Sequence, residues 1–94
     1  MKNGCTPFAY PKESLVLNEE GINEFILTIS EKGIVKEVKL SSTSGFEKLD
    51  DEAKRAFSLC KFKPAEKNGK VTESSLRVKY VWRIGENQKA VPRQ

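Results

Sequence analysis

The chain contains no histidine. That removes the commonest general base and the commonest metal ligand. Its two cysteines, without a histidine, make neither a Cys–His nucleophile nor a four-ligand zinc site. The six glycines, at 4, 21, 33, 45, 69 and 85, are scattered singly, so there is no Gly-rich phosphate loop. Long apolar runs are missing too. Phe25-Ile26-Leu27 is broken by Thr28, far short of the ~20 residues that a bilayer span requires. The start, Met1-Lys2-Asn3-Gly4, is polar and offers no secretory h-region. There is no internal repeat, no low-complexity stretch and no five-residue basic block. Together these absences lean away from an enzyme. They leave a soluble protein, or a soluble piece cut from something longer.

What is present suits one domain. The 94 residues are 37% hydrophobic and 32% charged, enough apolar material for a modest core and too much for a disordered tail. The net charge of +4 is unevenly placed: residues 1–47 carry −2 and residues 48–94 carry +6. A basic half fits nucleic acid, anionic lipid or an acidic partner, and equally an ordinary solvated face.

The segment Gly4 to Pro11 holds two prolines, which push the residues before them out of the helical basin, so it is expected to be extended or irregular. Pro11 suits the start of a short helix over Lys12 to Asn18, with Gly21 as its exit. Ile22 to Ser30 alternates as a strand, with Phe25, Leu27 and Ile29 on one face. Glu31-Lys32-Gly33 reads as a hairpin turn, and Ile34 to Ser41 as the returning strand. Val35 and Val38 stand three apart, which points to a bulge. Ser44 and Glu47 match a capping box. Leu49, Ala53, Ala56, Phe57 and Cys60 then form one helical stripe, and Pro64 forbids helix beyond about Lys61. Lys67-Asn68-Gly69-Lys70 is a turn. Ser75 to Ile84 is the clearest strand: Leu76, Val78, Tyr80, Trp82 and Ile84 share one face, and Ser75, Arg77, Lys79, Val81 and Arg83 the other.

The order helix, strand, strand, helix, strand predicts an α+β fold. A three-stranded antiparallel sheet is covered on one face by the main helix, with a short N-terminal helix beside it. So small a sheet keeps an open edge with unpaired amide and carbonyl groups.

Several short motifs occur in order along this frame: Tyr10-Pro11 with Gly21 ten residues after the proline; Gly33-x-Val35-x-x-Val38; Ser44-Gly45 with Leu49-Asp50 and Ala53; and Phe62-x-Pro64-Ala65 followed by Asn68-Gly69. Each is weak alone. In sequence and at this spacing they resemble the C-terminal domain family of TonB, the periplasmic energy transducer, from about Cys5 to Ile84. The residues read on their own as fold determinants, packing and closing turns, rather than as catalysts.

The resemblance implies a division into an N-terminal extended segment (1–9), the domain proper (10–85) and a flexible tail (86–94). It implies a non-catalytic module with no cofactor and no metal. The family's domain grips the TonB box, an extended segment at the N-terminus of TonB-dependent outer-membrane transporters, as a strand added at its last strand. Energy reaches it from the ExbB–ExbD motor complex through an inner-membrane anchor and a Pro-rich linker, neither of which lies in these residues. The chain would then be a periplasmic domain of an inner-membrane-anchored protein that serves siderophore and iron uptake. The partner-binding residues implied are Ser75, Arg77, Lys79, Val81 and Arg83 on the last strand, with Pro7, Phe8, Ala9 and Tyr10 ahead of the short helix. The same cations also serve to keep an exposed edge from aggregating, and the edge could pair with its own copy as a dimer.

In an oxidising periplasm Cys5 and Cys60 can bridge, closing a loop of about 55 residues worth on the order of 4 kcal/mol. The alternative is two unpaired thiols. Two other functions fit parts of this pattern. A related domain of the TolA kind, in another envelope protein, would bind peptidoglycan or a different protein partner. A nucleic-acid platform would need Tyr80 and Trp82 exposed, but they share the alternation expected beneath the helix, so no nucleic-acid partner is expected.

Overall fold

A computed structural model describes residues 4, 5 and 7–85. The tail expected over 86–94 lies outside them. The elements run α1 (Lys12–Val16), β1 (Gly21–Ile29), β2 (Val35–Ser42), α2 (Glu47–Ser58), β3 (Ala65–Lys67), β4 (Lys70–Thr72) and β5 (Ser74–Trp82). The main sheet is antiparallel in the order β2-β1-β5, and β3 and β4 form a separate hairpin. This is the expected α+β layout, with one short hairpin more.

β1 is the central strand, and its alternation decides the layering. Asn23, Phe25, Leu27 and Ile29 are buried on one face. Burying side chains of the Phe or Leu kind is worth about 1.5–3 kcal/mol each. Opposite them on β5 stand Tyr80, Val78, Leu76 and Ser74, and Trp82 lies opposite Gly21. On β2, Leu40, Val38 and Val35 face Phe25, Leu27 and Ile29. That register holds only because β2 carries two irregularities, one leaving out Lys36 and one Ser41. The first is the bulge that the spacing of Val35 and Val38 predicts.

α2 lies across β1 and β2. Its stripe, Leu49, Ala53, Ala56 and Phe57, is buried, and Cys60 just beyond it is also buried. The helix stops at Ser58, earlier than Pro64 alone would force. The chain then pairs in two directions: Lys61 bridges both Gly4 and Ile34. Gly33 lies against this crossing with φ +83°, and a Cβ on it would stand 2.0 Å from the Phe62 carbonyl oxygen. The glycine is therefore needed for both its backbone conformation and its lack of a side chain.

Two local expectations are corrected. The capping box on Ser44 does not form. α2 starts at Glu47 after Phe46, so Glu47 is its first residue and not its third. Asp50 does the work from inside the helix. Its carboxylate accepts from the Ser44 amide at 3.0 Å, the Ser44 hydroxyl at 2.9 Å, the Asn23 amide at 3.0 Å, and the Thr43 hydroxyl. Nor does Gly21 end α1. Asn18, with φ 57°, makes that turn, and Gly21 opens β1, where a Cβ would lie 2.5 Å from the Ser44 carbonyl oxygen.

Candidate docking edge

β5 has a single neighbour, β1, and its other side is the end of the sheet. Its alternation sorts the expected site residues. Ser75, Arg77, Lys79 and Val81 pair with Thr28, Ile26, Glu24 and Ile22 on the face away from α2. All four β5 residues are exposed, and Arg83, also exposed, follows the end of the strand. Arg77 forms an ion pair with Glu24 at 2.7 Å. Lys79, the direct partner of Glu24 in the register, has no ion pair among the described residues. Val81 and Ile22 stand side by side as an exposed apolar pair, 51% and 52% accessible.

The N-terminal residues lie on the opposite face. The Phe8 ring stacks on Tyr80, with centroids 3.9 Å apart and planes 6° from parallel. It also meets Phe57 of α2 edge-on at 4.9 Å. Tyr10 meets Trp82 edge-on at 4.9 Å and donates its hydroxyl to the Glu19 carbonyl. Burial pushes both the Tyr10 and Tyr80 phenols above their ordinary value, with the Glu20 and Glu19 charges adding to the first and Glu52 to the second. The backbone is fixed as well: the Ala9 amide donates to Glu52 Oε2 at 2.9 Å. Arg55 grips the same carboxylate, and its hydrogen bonds, with the Ala9 amide, hold the Glu52 carboxyl below the usual range against the opposing effect of burial. Pro7 and Ala9 are exposed, whereas Phe8 and Tyr10 are half-buried.

The expected site residues therefore fall into two groups on opposite faces of β5, and only the open edge of that strand is near both. Phe8 and Tyr10 are packing residues first. With Trp82 buried and one face of Tyr80 covered by Phe8, these rings offer no platform for stacked bases.

The two cysteines are bonded to each other, with Cα atoms 4.0 Å apart and a separation of 55 in sequence. The link and the reciprocal hydrogen bonds of Gly4 and Lys61, 2.8 and 2.5 Å, fasten the segment ahead of Phe8 to the end of α2. Sequence reading missed Glu24, Glu52 and Ile22. Each gains its role from a residue far away in the chain, and no local pattern marks them.

A family profile described as Gram-negative bacterial TonB protein C-terminal matches residues 6–84. The chain belongs to the TonB C-terminal domain family. The fold agrees with the solution structure of the Pseudomonas aeruginosa TonB C-terminal domain: TM-score 0.74 at 18% identity, over 90% of this chain and 89% of that one. Among curated proteins no sequence matches. The TonB-family fold thus accounts for the three-stranded antiparallel sheet with its main helix and short helix. No helix of the described residues is long and apolar enough to cross a membrane.

Proposed function

We propose that this domain is the non-catalytic, partner-gripping module of a TonB-type energy transducer. It sits in the periplasm and is anchored at the inner membrane through sequence ahead of it. There it seats the TonB box of an outer-membrane transporter as a fourth strand on β5. The ExbB–ExbD motor, working through the anchor, then pulls on the seated strand, and the transporter admits its cargo, such as a siderophore.

One observation carries this reading: β5 is long, at the end of its sheet, and backed by a packed layer. An extended peptide laid along it gains main-chain hydrogen bonds that require no particular side chains, while the alternating side chains on both faces set preference. Phe8 and Trp82 pack against Tyr80, and Phe57 backs Phe8, so the strand is braced before anything binds. Pre-ordering of this kind lowers the entropy lost on binding.

The test is a titration of the 15N-labelled domain with a synthetic TonB-box peptide. Amide shifts are expected to concentrate in residues 74–84, with a smaller response in 7–11. A flat response there at millimolar peptide would sink the proposal.

A further inference from the structure

The charges along β5 specify what kind of strand fits it, an inference that rests on the strand-addition reading above. On the outer face the rows of side chains can be followed across the sheet. Glu37, Thr28 and Ser75 form one row; Lys39, Ile26 and Arg77 the next; then Ser42, Glu24 and Lys79; and finally Ile22 beside Val81. At the β5 end of these rows stand two cations on alternate residues, followed by an apolar residue and then Arg83. Glu24 on β1 is directly opposite Lys79, yet Arg77 engages it from the neighbouring row. Its side chain is only 18% exposed, while that of Arg77 is 63% exposed. Lys79 is left with its charge unanswered among the described residues.

A second copy of this chain is a poor occupant. For two β5 strands to pair antiparallel and keep like faces together, the pairing must centre on a residue. Centred on 77, Arg77 meets Arg77. Centred on 78, Arg77 meets Lys79. Centred on 79, Lys79 meets Lys79, and centred on 80, Arg77 meets Arg83. Each of these registers sets like charges directly opposite, which is destabilising.

We infer that the cognate peptide presents acidic residues at two alternate positions, opposite Arg77 and Lys79, and at the next alternate position along β5 an apolar residue against Val81, which Ile22 backs from β1. Its other row is apolar and lies beside Leu76 and Val78, at the uncovered margin of the core face. Lys79 is the position that discriminates most, because Arg77 already has Glu24. The peptide is thus amphipathic by alternation, with acids on one side only.

Three synthetic peptides that share the apolar row test this. Their other row carries Glu for Arg77, Glu for Lys79 and Val for Val81 in the acidic peptide, written in both chain directions because a strand can join the edge parallel or antiparallel, with both Glu replaced by Gln in the second and by Lys in the third. Kd is read for the full chain by titration at low and near-physiological salt. An exposed ion pair changes Kd by a factor of about 1.5–5. The acidic peptide is expected to bind tightest and the lysine peptide weakest. That spread should narrow as salt screens the charges, and the shifts should lie in residues 74–84. Lys79→Glu is expected to weaken the acidic peptide roughly 3- to 10-fold and to favour the lysine peptide. Lys79→Gln falls between, and since it only removes an exposed charge it guards against a folding artefact. If all three peptides bind β5 alike, the charge inference is overturned while strand addition stands. If none perturbs β5, or the acidic peptide maps elsewhere, both are overturned.

Discussion

Asp50 is a small residue-scale device with a large span. One carboxylate on the first turn of α2 collects donors from the loop before it and from Asn23 on the central strand. Burial by itself would raise its pKa, but hydrogen bonds from Thr43, Ser44 and Asn23 outweigh this and hold the carboxyl below its ordinary value. The stability that follows is present above the unfolded carboxyl value, about 3.9. It is lost as pH falls through the lower folded value. Asp50→Ala is expected to cost about 1–3 kcal/mol at neutral pH, since it orphans several donors at once. Thermal unfolding across the acid range checks both points: the wild type should lose stability on acidification more steeply than the variant. Equal slopes would show that Asp50 is not the group responsible. Sequence reading singled out Ser44 and Glu47 here, because a cap is recognised by local spacing. It could not see that Asn23, from another element, would draw Asp50 into the position instead.

At the scale of elements, legibility followed the same physics. β1 and β5 were readable because one buried face imposes a two-residue period, and α2 because one buried stripe imposes a helical one. The β3–β4 hairpin shows in the sequence only as its turn. Asn68 and Gly69 both have positive φ, as a two-residue hairpin loop requires. But Ala65-Glu66-Lys67 and Lys70-Val71-Thr72 are short and mostly exposed, with no buried face to write a pattern. The N-terminal segment was legible as extended but not as a lining for β5, since nothing in Pro7-Phe8-Ala9 points to Tyr80. Its attachment gives an element-scale prediction. Reducing the Cys5–Cys60 bond frees a loop of 55 positions and is expected to cost about 2–4 kcal/mol, a fall of roughly 10–25 °C in Tm. Amide exchange should rise first at Gly4 and Lys61, while β1 stays protected. An unchanged Tm under reductant would contradict it.

For the whole molecule, the architecture was legible and the candidate site only half so. That β5 ends the sheet follows from counting strands. Which neighbours its charges have does not, because a register joins Glu24 to Lys79 and Ile22 to Val81 across more than fifty residues of chain. The same register bears on self-association. With like charges meeting in each central β5-to-β5 register, the domain is expected to sediment as a monomer at the concentrations used for NMR. A mass that climbs with concentration would mean that an edge pairs with its copy in spite of them.

The covalent link between Cys5 and Cys60 also sets a route for tension. Suppose the chain is pulled from ahead of Cys5 while a strand seated on β5 holds the other end. The load enters Cys5, crosses the sulfur–sulfur bond to Cys60, and continues along residues 61–82 to the loaded strand. Helices α1 and α2 and strands β1 and β2 all fall inside the bypassed loop. β1 braces β5 sideways, and none of the four is stretched end to end, so the oxidised domain can carry a pull that would otherwise begin by peeling Phe8 from Tyr80.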